Sequence, residues 1–434
     1  MVIPITESME LLNAKGTRDF PPQQKIVKNK VVDALKKVFE LFGYSPLETP
    51  VLERYDLLAA KYAGGAEILK ETFKLTDQGK RELCLRYDLT VPFSRFVGMD
   101  PTMKMPFKRY QIGPVFRDGP IKLGRYREFW QCDIDVVGTK NMLADAEIVQ
   151  MTLNCFKEVG LDVIVEVNNR KILDGIMEVL GIPKNKWVDV ILTVDKLKKI
   201  PLDNLKKELS EKGVDKKTSD KLLKIIQTSG ANKDKIKKLR KILTTEIGIQ
   251  GLDEIEECLT YVNNKNAVFE ISLCRGLAYY TGTVFEAFMK DGSFSSSLAG
   301  GGRYDNMIGD FLGSGEYPAV GISFGLEPII EVMKLKKKID DKKTVTQVYV
   351  IPFGTAKQSM KIASQLRKAG IKTEVDLVGR NPSKNLKYAN SLNILFVLFV
   401  GHDEIKKKKY KLKNMKTGKF IINTLDKLIT LLKK

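Results

Sequence analysis

Two runs constrain this chain more than any other feature: "PFKRYQIGPVFRDG", residues 106–119, and "GRYREFWQCDIDVVG", residues 124–138. Each is strand-like, and a polar loop joins them, so they read as an antiparallel hairpin with a long connection. Alternation along the second strand sends Arg127, Phe129, Gln131, Asp133 and Asp135 to one face. Tyr126, Glu128, Trp130, Cys132 and Ile134 take the other. A core strand rarely carries Gln and Asp on one line with Phe unless that line faces a polar pocket. The wet face of an edge strand fits the same pattern. "AVFEISLC", "TGTVFEAFM" and "PAVGISFG" are further strands. Strands cluster with few helices between them, which predicts an antiparallel sheet and an α+β class.

Three regions differ in texture. A core extends over residues 1–335 and opens with "PPQQKIVKNKVVDALKKVFELFG". Its apolar residues recur at helical spacing, Pro21 and Pro22 suit a first turn, and Gly43 suits the stop. A Lys-rich stretch of helical period, residues 170–262, interrupts this core as a helical insertion. After the charged linker "KLKKKIDDKKTV", residues 345–434 alternate strand and helix as a compact α/β domain.

Composition narrows the chemistry. Five scattered cysteines (84, 132, 155, 258 and 274) without a CxxC pair fit a reducing cytoplasm and predict no zinc cluster. A single histidine, His402, argues against Ser–His or Cys–His catalysis and against a histidine-ligated metal. No apolar run is long enough for a membrane span, and the first residues do not resemble a signal peptide. The net charge of +20 suits a polyanionic partner, although a lysine-rich background composition yields the same excess.

Three stretches invite chemistry. "SLAGGGRYDNMIGDFLG" has three consecutive glycines and Arg303, as in a loop that lets backbone approach a ligand closely. "LRYDLTVPFSRF" sets Asp88 beside Thr90; the pair can bind an amino group or cap a following helix. "RGLAYYTGTVFEA" begins a strand-like run with Arg275, whose charge is costly to bury without a partner.

Seven motifs occur in order: "KGTRDFPP", "ETPVLE", "LRYDLTVP", "RYQIGPVFRDG…GRYREFWQCDIDVVG", "RGLAYYTGTVFE", "AGGGRYDNMIG" and "AVGISFGLEPII". Together they resemble the histidyl-tRNA synthetases, which are class II aminoacyl-tRNA synthetases, over nearly the whole chain. The C-terminal domain is similar to that family's anticodon-binding domain. "LRYDLTVP" and "GRYREFWQCD" look like the archaeal and eukaryotic form rather than the common bacterial one. The resemblance implies an ATP-dependent histidine–tRNA ligase, with Mg²⁺ carried by ATP, histidine tRNA as partner, a homodimer and no membrane.

The resemblance also implies residue roles. Arg117 and Arg275 are the catalytic cations at the α-phosphate and the amino-acid carboxylate. Asp88, Leu89, Thr90, Gln131 and Asp135 surround the histidine amino group and ring, with Tyr279 and Tyr280 as a wall. Phe129 stacks on adenine, Arg125 lies near the nucleotide and acceptor end, and Pro50 lies at the dimer interface. Adjacent tyrosines on a regular strand point to opposite sides. Either the backbone bends near Gly276 and Gly282, or only one hydroxyl meets the ring, with Tyr280 favoured.

Two positions depart from the family pattern. Gly119 stands where motif 2 often has a glutamate, and Pro328 stands where motif 3 usually has the arginine that holds the γ-phosphate. Arg303 and Arg125 are the candidates to replace that arginine. A non-catalytic histidine-binding regulator is the competing function; the C-terminal domain and Arg275 favour the ligase, and Pro328 favours the regulator. A general RNA-binding protein is a third function, and the filled histidine pocket argues against it.

Overall fold

A computed structural model describes residues 10–62, 69–121, 125–274, 279–338 and 342–433. The chain forms two compact units, one comprising Met1–Arg18 with Val31–Lys338 and the other Asp19–Lys30 with Ile339–Lys434. The strands of the first unit are β1 (Ser45–Pro46), β2 (Leu52–Arg54), β3 (Lys74–Thr76), β4 (Glu82–Leu85), β5 (Phe107–Phe116), β6 (Glu128–Val137), β7 (Val163–Asn169), β8 (Ala267–Phe269), β9 (Thr283–Met289), β10 (Ala299–Arg303) and β11 (Ala319–Gly325). Eight of them form one sheet in the order β1-β5-β6-β11-β10-β9-β7-β8. All neighbours in it are antiparallel except β1–β5 and β7–β8. A smaller sheet has the order β2-β4-β3. The class is α+β.

The long hairpin forms as its alternation demands, with Phe107 opposite Val137 and Phe116 opposite Glu128. The opening helix spans Pro22–Leu41 and ends before Gly43, whose φ of 77° suits glycine. Val31, Leu35, Val38 and Phe39 of this helix are buried, and the Phe39 ring centre lies 5.6 Å from those of both Tyr110 and Phe324. The apolar spacing therefore anchors this part of the helix on β5 and β11. Between β7 and β8, residues 170–262 form a succession of helices from Arg170–Val179 to Glu246–Val262. They belong to the first unit.

The glycine-rich stretch is not a loop. Gly300, Gly301 and Gly302 lie within β10, paired with β11 on one side and β9 on the other. The glycines serve close strand packing: a Cβ on Gly302 would lie 2.5 Å from the Thr283 carbonyl oxygen and 2.8 Å from the Tyr280 ring. None of the three has positive φ, so conformational freedom is not their role.

The second unit contains β12 (Val348–Pro352), β13 (Thr373–Val375), β14 (Phe396–Val400), β15 (Tyr410–Asn414) and β16 (Phe420–Asn423), in the order β13-β12-β14-β15-β16. Parallel β13, β12 and β14 alternate with the helices Ala356–Lys368 and Pro382–Ser391, as the strand–helix alternation predicts. β15 and β16 form an antiparallel hairpin that extends the sheet.

Arg303 at the end of β10 is 3% exposed and forms ion pairs with Asp145 and, at 3.3 Å, with Asp305. Asp145 is fully buried in the helix Met142–Glu158 and also accepts from the Thr283 hydroxyl. Removing one member of such a pair leaves an uncompensated buried charge. Asp145→Ala is expected to lower stability by about 3–5 kcal/mol in urea denaturation. A midpoint equal to the parent's would show that this pair does not stabilise the sheet.

Candidate active site

The polar line read from the hairpin faces a cavity. Gln131, Asp133 and Asp135 of β6 border a volume of about 220 Å³. Each is set by a lateral neighbour: Asp135 lies opposite Arg109 and Gly321, Asp133 opposite Gln111 and Ser323, and Gln131 opposite Gly113 and Gly325. Several polar groups on its sheet side bond one another. Asp135 pairs with Arg109 at 2.6 Å and accepts from the Tyr304 hydroxyl. Gln131 donates to the Ser323 hydroxyl at 2.9 Å. A Cβ on Gly321 would lie 2.0 Å from Asp135 Oδ1, so glycine there is what gives this carboxylate room.

Arg109 is completely buried, lies 4.3 Å from the Phe93 ring centre, and donates to the Leu89 carbonyl at 3.2 Å. Burial is the main cause that pushes the Asp133 carboxyl up to about 7; the charges of Asp135 and Asp88 add to it, and Arg109 and the Ser323 hydroxyl oppose it. The Tyr304 phenol is held well above its usual range, chiefly by burial and then by Asp135, so it serves as a donor.

Arg117 reaches the same cavity from just beyond β5. Its guanidinium lies 4.3 Å from the Tyr87 ring centre and 4.9 Å from that of Phe129. Its Nε donates to the Tyr87 carbonyl at 3.2 Å. Aromatic faces fix the guanidinium plane without consuming its fork of donors. Nearby, Glu71 accepts from Tyr87 Oη at 3.1 Å and pairs with Arg125 at 3.1 Å. A Cβ on Gly119 would lie 2.7 Å from Glu71 Oε1, so the Glu71 carboxylate occupies the space that the missing side chain at 119 leaves. Sequence inspection gave no sign of this, because 48 residues separate the two positions.

Several expected site residues gather here and others do not. Asp88, Thr90, Arg117, Gln131, Asp135, Tyr279 and Tyr280 all border the cavity. Asp88 also caps a helix: its Oδ1 accepts from the backbone of Thr90 and Val91 at the start of Thr90–Gly98. The two residues are thus not on an extended strand. Leu89 is fully buried away from the cavity, and only its carbonyl takes part, through Arg109. Tyr279 and Tyr280 precede β9, so strand alternation does not apply to them. Their hydroxyls are 3.4 Å apart and both rings border the cavity.

Arg303 is engaged within the core: its bonds go to Asp145, Asp305 and the Thr139 carbonyl. Arg125 is half exposed and paired with Glu71. Pro328 lies in the first turn of the helix Leu326–Leu335, where its missing N–H costs no bond. Pro50 is exposed, just before β2. Arg275 lies outside the described residues. Tyr87, Arg109, Asp133, Ser323, Tyr304 and Gly321 join the site without having been singled out for it. Only Asp133 had a signal, its place on the polar line of β6.

Comparison with known proteins covers both units. A family model described as histidyl-tRNA synthetase matches residues 16–329, and one described as an anticodon binding domain matches 347–434. The chain is 44% identical to Histidine–tRNA ligase 1 of Bacillus cereus over 94% of each chain. It is 39% identical to Histidine–tRNA ligase of Phocaeicola vulgatus, over 96% of this chain and 98% of that one. The crystal structure of histidyl-tRNA synthetase from Nostoc sp. PCC 7120 superposes with a TM-score of 0.87 at 29% identity, covering 98% of this chain and 99% of that one. A cavity lined by an aromatic-held arginine and buried carboxylates thus lies in a sheet and a sequence matched from end to end, and the chain belongs to the histidyl-tRNA synthetase family.

Proposed function

We propose that this protein is a histidine–tRNA ligase that activates histidine with ATP and transfers it to the 3′ end of its tRNA. The observation that carries the site assignment is the convergence of Arg117 with Gln131, Asp135, Tyr279 and Tyr280 on one cavity. In the first step, a histidine carboxylate oxygen bonds the α-phosphorus of ATP, and the bond to the leaving pyrophosphate breaks. The nucleophile is already an anion, so no general base is needed. The barrier lies in bringing anions together and in charge growing on the phosphoryl oxygens. Arg117, held between two rings, offers a preorganised fork to carboxylate and phosphate. Arg275 is assigned the second cation by its motif. Phe129 offers a ring face for adenine, and Arg125 lies at the nucleotide and acceptor end. In the second step, a ribose hydroxyl of the terminal tRNA nucleotide attacks the acyl carbon, and AMP leaves.

Selecting histidine requires partners for both ring nitrogens, since a site that leaves its polar groups unpaired rejects other side chains. Asp135, oriented by Arg109 and Tyr304, supports one ring contact, and a Tyr279 or Tyr280 hydroxyl supports the other. ATP is taken to enter with its own Mg²⁺; the described residues include no group of three His, Cys, Asp or Glu side chains placed to hold a metal ion. The working form is proposed to be a cytoplasmic homodimer, with Pro50 at the interface. No helix among the described residues is long and apolar enough to cross a membrane.

The second unit is proposed to contact the anticodon arm. Lys406, Lys407, Lys408, Lys409 and Lys411 are exposed around β15, and Lys411 borders one groove with Phe353, Phe399 and Phe420. The ring centres of Phe353 and Phe399, and of Phe399 and Phe420, are 6.0 Å apart. Of these rings Phe353 and Phe420 are exposed, and exposed rings with nearby cations suit unpaired bases and phosphates.

The deciding experiment is histidine-dependent exchange of pyrophosphate into ATP. Exchange above background is expected with pure protein and Mg²⁺; its absence would favour a histidine-binding regulator. Arg117→Ala and Arg275→Ala are each expected to lower kcat by about a hundredfold or more, with histidine affinity much less affected. An unchanged rate would remove that arginine from the mechanism. Phe420→Ala is expected to raise the KM for tRNA several-fold while exchange stays at the parent rate. An unaltered tRNA KM would place the anticodon elsewhere.

A further inference from the structure

The large sheet ends in β8, which pairs with β7. Among the described residues, the outer edge of β8 meets the helix Asn232–Arg240 of the insertion in place of a further strand. Asn232 Nδ2 donates to the Ala267 carbonyl at 2.8 Å, and Asn232 Oδ1 accepts from the Phe269 N–H at 2.9 Å. Buried Lys235 donates to the Phe269 carbonyl at 2.6 Å. Side chains of one helical turn thus take the bonds that a paired strand would supply. The turn after β8 is held from the other side. Asn168 of β7 is fully buried, and its Nδ2 donates to the Ile271 and Leu273 carbonyls, each at 2.9 Å. Glu270 Oε1 accepts from the Ser272 backbone and hydroxyl. Lys198 of the insertion lies 2.7 Å from Glu166 and 3.5 Å from Glu270.

Asn168 Oδ1 is buried and accepts no hydrogen bond from the described residues. An unmet acceptor is a cost that an apolar side chain filling the same place would avoid. What the amide adds is its grip on the turn, and the turn reaches the cavity through its apolar side. Leu273, Tyr280 and Val284 form one buried cluster with Tyr279 packed against it, and both tyrosines border the cavity. Tyr280 therefore takes its place from two neighbours, the Leu273 side chain and β10, where a Cβ on Gly302 would lie 2.8 Å from its ring. Asn168 is also in register with the cavity. Asn168, Val284, Gly302, Gly321 and Asp135 are lateral neighbours across β7, β9, β10, β11 and β6.

We propose that Asn168 and Asn232 are positioning residues for the amino-acid pocket. They grip residues 267–273 from two sides, seat Leu273, and so fix the Tyr280 ring. By this route the helical insertion sets the wall of the histidine pocket. Neither asparagine borders the cavity, so both act through the tyrosine. This deepens the ligase function and rests on it.

Calorimetry on the full chain reads histidine affinity, and pyrophosphate exchange reads kcat with the KM for histidine and for ATP. Asn168→Leu removes both donated bonds at a buried site, and Asn232→Ala removes the grip on β8 at a half-buried one. Each is expected to weaken histidine binding about tenfold. The KM for histidine should rise in step, with the KM for ATP at the parent value. A double-mutant cycle with Tyr280→Ala separates a route through the tyrosine from a general effect. In that background either asparagine change is expected to cost less than about twofold. Parent-level affinity in the asparagine variants, or losses that add to that of Tyr280→Ala, overturns the proposal. A lower kcat with both KM values unchanged marks lost folded enzyme and also overturns it. Should Asn168→Leu not fold, Asn232→Ala decides. Histidine binding unaffected by Tyr280→Ala would strike the pocket assignment itself. A loss from Tyr280→Ala with none from the asparagines strikes only their positioning role.

Discussion

The site depends on the ion pair between Arg109 and Asp135, two side chains that face each other across β5 and β6 inside the sheet. A charge with no water around it is tolerated only when paired and hydrogen-bonded. Here the Leu89 carbonyl accepts from Arg109, and the Tyr304 hydroxyl donates to Asp135. Leu89 immediately precedes the helix Thr90–Gly98, and Tyr304 follows β10. One buried pair thus ties a helix start and three strands to the position of a single carboxylate.

That carboxylate needs empty space in front of it, and the sheet supplies it with glycine. On β11 and β10, the residues lateral to Asp135 are Gly321 and Gly302. A methyl group at the first would overlap Asp135, and one at the second would press on Tyr280. The cavity therefore lies over one face of a continuous sheet, with Tyr87, Asp88, Thr90, Tyr279 and Tyr280 as its other walls. Arg117 borders it with its guanidinium near the Tyr87 and Phe129 rings.

Charge is divided along the same lines. Arg303, Asp145 and Asp305 neutralise one another within the core, and Arg125 is paired with Glu71 at the rim. Arg117 has aromatic neighbours and one backbone acceptor, which leaves its fork of donors available to anions. Asp133 has an unmet oxygen instead of a cation.

The chain's order of residues determined the local structure. The period of Val31, Leu35, Val38 and Phe39 made a helix with one buried stripe, and Gly43 ended it. The alternation of Gln131, Asp133 and Asp135 put three polar groups on one face of a strand. Motif order pointed to the family, because such stretches carry chemistry as well as shape. Tertiary structure decided what each polar group would meet. Gly300–Gly302 read as a ligand-approaching loop because glycine runs usually serve loops, yet flanking strands made it a central strand. Arg303 looked available because its partner Asp145 is 158 residues away. Asp88 left two readings open, an amino-group ligand or a helix cap, and the helix after it claimed one oxygen. Glu71 beside Gly119, and Tyr304 on Asp135, join residues with no local relation in the chain. Local periodicity reports which face a side chain takes; pairing across the sheet reports whether its charge is already spent.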